Sequence, residues 1–184
     1  MTEPDEVFLE TPRLVLRDKR PEDLDFTVAL FADPRVMRWI GDGSTYSREE
    51  VEARFGRVLA IESEPGHERW DAFKMIERKS DGACIGQAGL LRCEIDGSPE
   101  IEIGWWLAAS AWGSGYATEA ALAFRDFAFR ELGLARLSVV LYAENLKSVA
   151  VARRIGGVYQ GEARYHDRTV TRYVVPADAL TTVA

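Results

Sequence analysis

The chain reads Ile101-Glu-Ile-Gly-Trp-Trp-Leu107 and, after four further residues, Trp112-Gly-Ser-Gly-Tyr-Ala-Thr-Glu-Ala120. The first segment has the character of a strand, and the second places two glycines directly before helix-forming residues. A helix that begins at a glycine turn presents unpaired backbone N–H groups and the positive end of its dipole. The stretch therefore predicts a strand, a turn and a helix that together offer a site for a phosphate or a pyrophosphate.

The turn has no basic side chain of its own, because no lysine or arginine occurs between Trp112 and Ala120. Backbone N–H groups are therefore expected to do most of the anion binding. Short glycine motifs also occur in ordinary strand-to-helix connections, so the turn alone leaves both interpretations open.

The composition is that of an ordinary globular domain, with 184 residues of which 47% are hydrophobic and 29% charged. The net charge of −7 and the lack of a basic block argue against nucleic-acid binding through a cationic patch, whereas an acidic surface does not repel a cationic amine. No apolar run reaches the length of a membrane span. Residues 1–6 are polar and acidic, unlike a secretory signal, so a cytoplasmic location is expected.

The cysteines and histidines do not suggest a metal site. Cys84 and Cys93 fit no zinc or redox spacing, and free thiols agree with a reducing cytoplasm. His67 and His166 lie far apart in polar, turn-like contexts. We therefore expect no metal.

Apolar periodicity and turn signals predict the element order βαα-βββ-α-β-α-ββ. Pro21 opens the first helix, and Ser47 with Glu50 forms a capping box for a later one. Hairpin turns are indicated at Asp81-Gly82 and Asp96-Gly97. No repeat or linker interrupts the chain. It is expected to form one domain over residues 1–184, with its core at about 9–175, of the α/β class and more closely of the α+β type.

Three stretches resemble the GNAT superfamily of acyl-CoA-dependent N-acyltransferases and occur in the order of that family. They are residues 9–17, residues 102–107 with 112–120, and residues 145–156. The likeness is strongest to the branch that acetylates the N-terminal alanine of ribosomal proteins. It implies a mixed, mostly antiparallel central sheet of about seven strands, with a splayed parallel pair and about four helices.

The resemblance implies acetyl-CoA as the cosubstrate. The backbone N–H groups of residues 113–118 would hold its pyrophosphate, and its pantetheine arm would pair with strand backbone between the splayed strands. Trp112 departs from the superfamily, which usually has Gln or Arg at that position. The residues expected to bind the cosubstrate are Trp105, Trp106, Leu107, Trp112, Gly113, Ser114, Gly115, Tyr116, Ala117, Thr118, Asn145 and Ser148.

Transfer of an acetyl group to an amine needs a base for the amine. Glu102 matches the position of a catalytic glutamate in the family, and burial in an apolar sheet would raise its pKa. Glu94, on the neighbouring strand, is the reserve candidate. Glu100 shares the face of Glu102 by alternation and is interpreted as an ordinary solvent-exposed strand residue.

The leaving thiolate needs a proton donor. The tyrosine that most of the superfamily uses is replaced here by Ala152, so the resemblance points to Ser148 as the donor. Tyr142 and Tyr165 are further donors with less to favour them. The predicted activity is transfer of an acetyl group from acetyl-CoA to a primary amine by direct attack in a ternary complex.

Two other interpretations stay open. A dinucleotide-binding protein would also place Gly113 and Gly115 after a strand, with Glu144 ending the next strand, but Thr118 occupies the third glycine position and hairpins precede the motif. A non-catalytic acyl-CoA-binding or regulatory module on the same fold would suit the missing tyrosine. The acceptor is not specified. It is either a protein N-terminus or a small-molecule amine, bound between residues 31–46 and the last hairpin, and the resemblance leaves a homodimer open.

Overall fold

The computed structural model describes residues 7–178, so residues 1–6 and 179–184 lie outside the described part. Within it, eight strands form one sheet and five α-helices pack around it. The strands are β1 (Val7–Glu10), β2 (Leu14–Arg17), β3 (Ala72–Arg78), β4 (Ala83–Ile95), β5 (Ser98–Leu107), β6 (Arg136–Leu141), β7 (Val158–Tyr165) and β8 (Arg168–Pro176). The helices are α1 (Leu24–Ala32), α2 (Pro34–Met37), α3 (Arg48–Glu62), α4 (Tyr116–Arg130) and α5 (Leu146–Arg154).

The strand order in the sheet is β1-β2-β3-β4-β5-β6-β8-β7, with a parallel β5–β6 pair among antiparallel neighbours. This confirms the predicted mixed, mostly antiparallel sheet. The additional strand is β1, which pairs with β2. The additional helix is the single turn α2, where Asp33 caps by accepting the Arg35 N–H. Helix α3 begins at the predicted capping box of Ser47 and Glu50.

The parallel strands β5 and β6 separate part-way along their length. Their described register has Glu102 opposite Ser138, and β5 then continues beside β4 from Ile103 to Leu107. One backbone edge of residues 103–107 therefore has no paired strand within the described part of the chain. This is the splayed pair that the resemblance implied.

Helix α4 packs closely on the sheet beside this opening because half of its six buried residues are alanine. Ala120, Ala121, Phe124 and Ala128 are fully buried at helical spacing. Small side chains let the helix approach β4 and β5, and burial of the Phe124 ring contributes about 2–3 kcal/mol. The start of α4 is thereby fixed next to the free edge of β5.

The helical front half, α1–α3, is seated near the same strand by aromatic and ionic contacts. The Trp106 ring stacks on Phe73 with centroids 4.4 Å apart and meets Phe31 edge-on at 5.7 Å. The buried guanidinium of Arg17 donates twice to Asp23 at 2.8 Å, which ties β2 to the turn before α1. The front half therefore borders the opening in the sheet.

Candidate active site

A cavity of about 1090 Å³ lies at the opening between β5 and β6. Its walls come from β5, the glycine turn, α4, β6 and α5, and Val36, Trp39 and Ile40 of the front half also line it. Every residue predicted to bind the cosubstrate lines this cavity except Ser114, and Glu102 lines it too. The topology therefore brings Glu102, Ser148 and most of the predicted binding residues into one space.

The glycine turn has the backbone shape that an anion site requires. Gly113 and Gly115 have φ values of 79° and 81°, in the left-handed region that favours glycine. The Gly115 carbonyl accepts the Glu119 N–H at 3.0 Å, which closes the first turn of α4. The N–H groups of residues 116–118 precede that bond and have no partner inside the helix, so they are free to meet an anion.

A guanidinium group lies beside the turn although the turn contains no basic residue. Arg13, just before β2, donates to the Ser114 carbonyl at 3.0 Å and to Glu119 at 2.6 Å. Lys147 and Arg154 of α5 line the cavity as well. The expectation that the backbone binds the anion largely by itself is therefore incomplete. Arg13 and Ser114 are 101 residues apart in sequence, so no local pattern could reveal the contact.

The start of α5 supplies the predicted asparagine and serine. Asn145 Oδ1 accepts the Ser148 N–H at 3.3 Å and caps the helix, and both residues line the cavity. Ala152, at the position of the usual tyrosine, is fully buried and has no proton to donate. Ser148 is therefore the hydroxyl that this helix offers to the cavity.

Trp112 joins the segments that surround the cosubstrate site. Its Nε1 donates to the Leu107 carbonyl at 2.9 Å, and the Lys147 ammonium lies 4.2 Å from its ring centroid, a cation–π contact. The tryptophan that departs from the superfamily pattern thus links the end of β5, the turn and α5.

Glu102 stands where β5 and β6 separate and is half-buried. The Tyr165 hydroxyl of β7 donates to Glu102 Oε2 at 2.5 Å. The Phe73 ring covers the neighbouring Gly104, where a Cβ would stand 2.8 Å from Phe73 Cζ. Burial raises the pKa of Glu102 to about 6, and the hydrogen bond from Tyr165 opposes the rise. Such a carboxylate is ionised at neutral pH and still basic enough to accept a proton.

Glu100 does not have the exposed position that its sequence suggested, since only 8% of its surface is accessible. Arg136 and Arg172 each donate to Oε1 at 2.7 Å, and the Ser138 hydroxyl donates to Oε2 at 3.2 Å. Burial alone would raise the pKa of Glu100, but these partners lower it below its ordinary value. The prediction was wrong because the two arginines come from β6 and β8, which follow β5 in the chain and approach it only through the sheet.

Two further candidates lie outside the cavity. Glu94 is exposed on β4. Glu102 pairs with Leu91, three residues before Glu94 on that strand, so alternation places the Glu94 side chain on the opposite face of the sheet. Tyr142 donates to the Gly41 carbonyl at 2.5 Å, which ties the end of β6 to a loop of the front half.

Comparison with known proteins decides the family. A model of the acetyltransferase (GNAT) domain matches residues 13–158, well over half of the chain. The chain belongs to the GNAT acetyltransferase family. The resemblance to the GNAT superfamily is confirmed and the protein is an N-acetyltransferase. The dinucleotide-binding and non-catalytic interpretations are set aside.

Curated relatives of this GNAT acetyltransferase include an uncharacterized N-acetyltransferase of Bacillus subtilis strain 168, YoaA. It is 27% identical over 159 residues, which are 86% of this chain and 87% of YoaA. The FsC-acetyl coenzyme A-N(2)-transacetylase of Aspergillus fumigatus is 28% identical over 180 aligned residues, covering 85% of this chain and 74% of that protein. The uncharacterized Bacillus subtilis protein YkkB is 33% identical over 99 residues, which span 54% of this chain and 58% of YkkB.

Solved structures of GNAT proteins share the fold. An acetyltransferase from Agrobacterium tumefaciens str. C58 has a TM-score of 0.72 at 35% identity, covering 90% of this chain and 92% of that one. RimL, a ribosomal L7/L12 alpha-N-protein acetyltransferase in complex with coenzyme A, has a TM-score of 0.72 at 18% identity and coverages of 95% and 99%. AAC(6')-Ib in complex with ribostamycin and coenzyme A has a TM-score of 0.71 at 17% identity and coverages of 92% and 97%.

Residues 7–178 of this GNAT protein contain neither a candidate metal site nor a candidate membrane-spanning helix. No group of three or more histidine, cysteine, aspartate or glutamate side chains in that range is placed to hold a metal ion. No helix in the same range is both long and apolar enough to cross a membrane.

Proposed function

We propose that this GNAT protein transfers an acetyl group from acetyl-CoA to a primary amine, of a protein N-terminus or a small molecule, by direct attack in a ternary complex. The observation that carries the proposal is that Glu102, with its raised pKa, lies in the same cavity as the glycine turn. Glu102 precedes Leu107 by five residues on β5, roughly 17 Å along the strand. The cavity therefore offers an anion site and, at a distance from it, a base.

In the proposed reaction Glu102 accepts a proton from the amine, directly or through a water molecule. The nitrogen then attacks the thioester carbonyl, so that the C–N bond forms and the C–S bond breaks. The CoA thiolate leaves with a hydrogen bond from the Ser148 hydroxyl, and it takes up the second proton that the nitrogen loses as the amide forms. Burial raises the pKa of the Cys84 and Cys93 thiols to about 11 and about 12, which disfavours a cysteine nucleophile at neutral pH.

In this proposal, most contacts to the cosubstrate come from backbone groups. The N–H groups of the turn take the pyrophosphate, and the free edge of residues 103–107 takes the pantetheine amides as an added strand would. Asn145 contacts the arm from the start of α5. The structural neighbours RimL and AAC(6')-Ib, both in complex with coenzyme A, support this assignment.

Free-thiol release from acetyl-CoA, measured with a panel of amines, tests the proposal. The panel holds peptides with free N-termini, spermidine and ribostamycin. The choice follows three fold neighbours: RimL is an alpha-N-protein acetyltransferase, SpeG of Vibrio cholerae is a spermidine N-acetyltransferase, and AAC(6')-Ib is in complex with ribostamycin. We expect release that depends on an acceptor and is lost in the Glu102→Gln variant. Failure of the wild-type protein to bind CoA in calorimetry would overturn the proposal.

Ala152 at the position of the usual tyrosine is buried, so Ser148 is the group proposed to assist the leaving thiolate. The Ser148→Ala variant tests this role. If Ser148 donates to the thiolate, the variant lowers kcat while the Kd for CoA stays within about twofold. An unchanged kcat would remove Ser148 from the proposed reaction.

A further inference from the structure

The guanidinium of Arg13 lies beside the glycine turn, next to the backbone N–H groups expected to bind the anion. We propose that Arg13 binds the pyrophosphate of CoA directly and that Glu119 holds it in position. This inference rests on the function proposed above. It assigns a ligand contact to a residue from the other end of the chain, which precedes β2 and reaches the turn only through the fold.

The Arg13 side chain is fixed against the turn on several sides. Its Nε and Nη2 both lie 2.6 Å from Glu119 Oε2, and Nη1 donates to the Ser114 carbonyl at 3.0 Å. Its Cζ lies 4.6 Å from the Tyr116 ring centroid. Gly115 adjoins the guanidinium, since a Cβ there would be in van der Waals contact with Nη2 at 3.5 Å. The group is held at the turn before any ligand arrives.

The charge of Glu119 explains why a cation is needed at this place. Glu119 lies in the first turn of α4 and lines the cavity, where a bare carboxylate would repel a pyrophosphate. Its Oε1 accepts the Thr11 hydroxyl at 2.6 Å and the Arg13 N–H at 2.9 Å, while Oε2 receives the guanidinium. Glu119 therefore orients Arg13, and Arg13 compensates the charge of Glu119.

Arg13 retains donors for a ligand after these contacts. A guanidinium has five N–H bonds, and the contacts found within residues 7–178 engage each of its three nitrogens once. One N–H on Nη1 and one on Nη2 are left to be donated. The side chain is 49% exposed and lines the cavity. These two remaining donors can be offered to the oxygens of a phosphate group.

Calorimetric binding of CoA to the full chain and to the Arg13→Gln variant tests the inference. We expect the Kd for CoA to rise about ten- to a hundredfold, the effect of losing a charge-assisted hydrogen bond. With S-acetylpantetheine, which has the thioester but no pyrophosphate, KM should change less than about twofold. Arg48→Gln is the matched control, because Arg48 is 53% exposed, pairs with Asp25 and does not line the cavity.

The Arg13→Gln/Glu119→Gln double variant separates direct binding from charge compensation. If Arg13 binds the pyrophosphate, CoA affinity recovers only in part. Full recovery would overturn direct binding, as would an unchanged Kd in Arg13→Gln, or equal losses with both thioesters. If Arg13→Gln does not fold, Arg13→Lys takes its place and is expected to raise the Kd severalfold. A wild-type protein that binds no CoA would instead count against the proposed function.

Discussion

Two glutamates on one face of β5 differ completely in their surroundings. Glu100 lies where β5 is still held to β6 and β8, and three side chains donate to its carboxylate. Glu102, two residues on, lies where β5 and β6 separate, and Tyr165 donates to it. The pKa of Glu100 is lowered, whereas that of Glu102 is raised to about 6.

The comparison teaches that the role of each glutamate depends on where it lies relative to the point at which β5 and β6 separate. Before that point the side chain has a structural role, and at that point it is available for chemistry. The closed segment around Glu100 is an ion-pair cluster that joins three strands. The open segment after Glu102 lines a cavity and, within residues 7–178, its backbone pairs with a strand on one edge, that of β4. A base near neutral pH needs burial without a neutralising cation, and the end of the paired region meets that need.

Replacement of Glu102 by glutamine gives the largest expected effect. We expect kcat/KM with the best acceptor to fall by about 10²- to 10⁴-fold, since the amine loses its base, while the Kd for CoA stays unchanged. Steady-state thiol release and calorimetry measure the two quantities. Glu100→Gln, measured at a temperature where it is folded, should retain more than a tenth of the activity. Equal losses of kcat/KM in the two variants would show that Glu102 has no catalytic role that Glu100 lacks.

Replacement of Glu100 by glutamine should affect stability instead. Two arginines would lose their carboxylate, and breaking a buried ion pair costs about 3–5 kcal/mol. Arg136 is 58% exposed and Arg172 is 19% exposed, so water will take over part of the interaction and we expect a loss of about 2–3 kcal/mol in the free energy of unfolding. Urea unfolding at pH 7 measures it. A loss below about 0.5 kcal/mol would show that the cluster does not hold the closed segment together.

The pH dependence of the rate tests whether the hydrogen bond from Tyr165 affects the pKa of Glu102. Activity should rise with pH around a midpoint near 6, where Glu102 ionises. The Tyr165→Phe variant loses a donor to the ionised form, so its midpoint should move upward by up to about one pH unit, which would lower the ionised fraction at pH 6 about fivefold. The measurement is kcat/KM from pH 5 to 8.5, with an acceptor that does not titrate in that range. An unchanged midpoint would remove Tyr165 from the site.

The sequence revealed the parts of this site that depend on local order. The strand, the glycine turn and the helix are contiguous, so the turn and the face of Glu102 followed from spacing and alternation. The partners of those groups did not. Tyr165 and Glu102 are 63 residues apart, and Arg172 and Glu100 are 72 residues apart. Such pairs are set by which strands become neighbours in the sheet, and one sequence carries no local signal for that choice.

The smallest expected effect concerns stability. The contributions of the two glutamates to the free energy of unfolding should change in opposite directions as the pH changes. The folded pKa of Glu100 is lowered, so its contribution to stability is present above its ordinary value of 4.5 and is lost as pH falls through the folded pKa. The folded pKa of Glu102 is raised, so its protonated form favours folding below 4.5. That advantage is lost as pH rises from about 4.5 to about 6.

Glutamine resembles the protonated form of glutamate because it is neutral and has nearly the same shape. The two Glu→Gln variants therefore test these opposite pH dependences. Glu102→Gln should match the wild type near pH 4 and become more stable than it above pH 6. The gain should be about 1 kcal/mol, because a shift of this size corresponds to about 2 kcal/mol before discounting for the solvent that reaches a half-buried group. Glu100→Gln should be less stable than the wild type at neutral pH and approach it as the pH falls below 4.5. Urea unfolding of the three proteins between pH 4 and pH 8 measures both trends. If the free energies of unfolding of the two variants change with pH in the same way, the two carboxylates have the same surroundings. The assignment of Glu102 as the base would then lose its support.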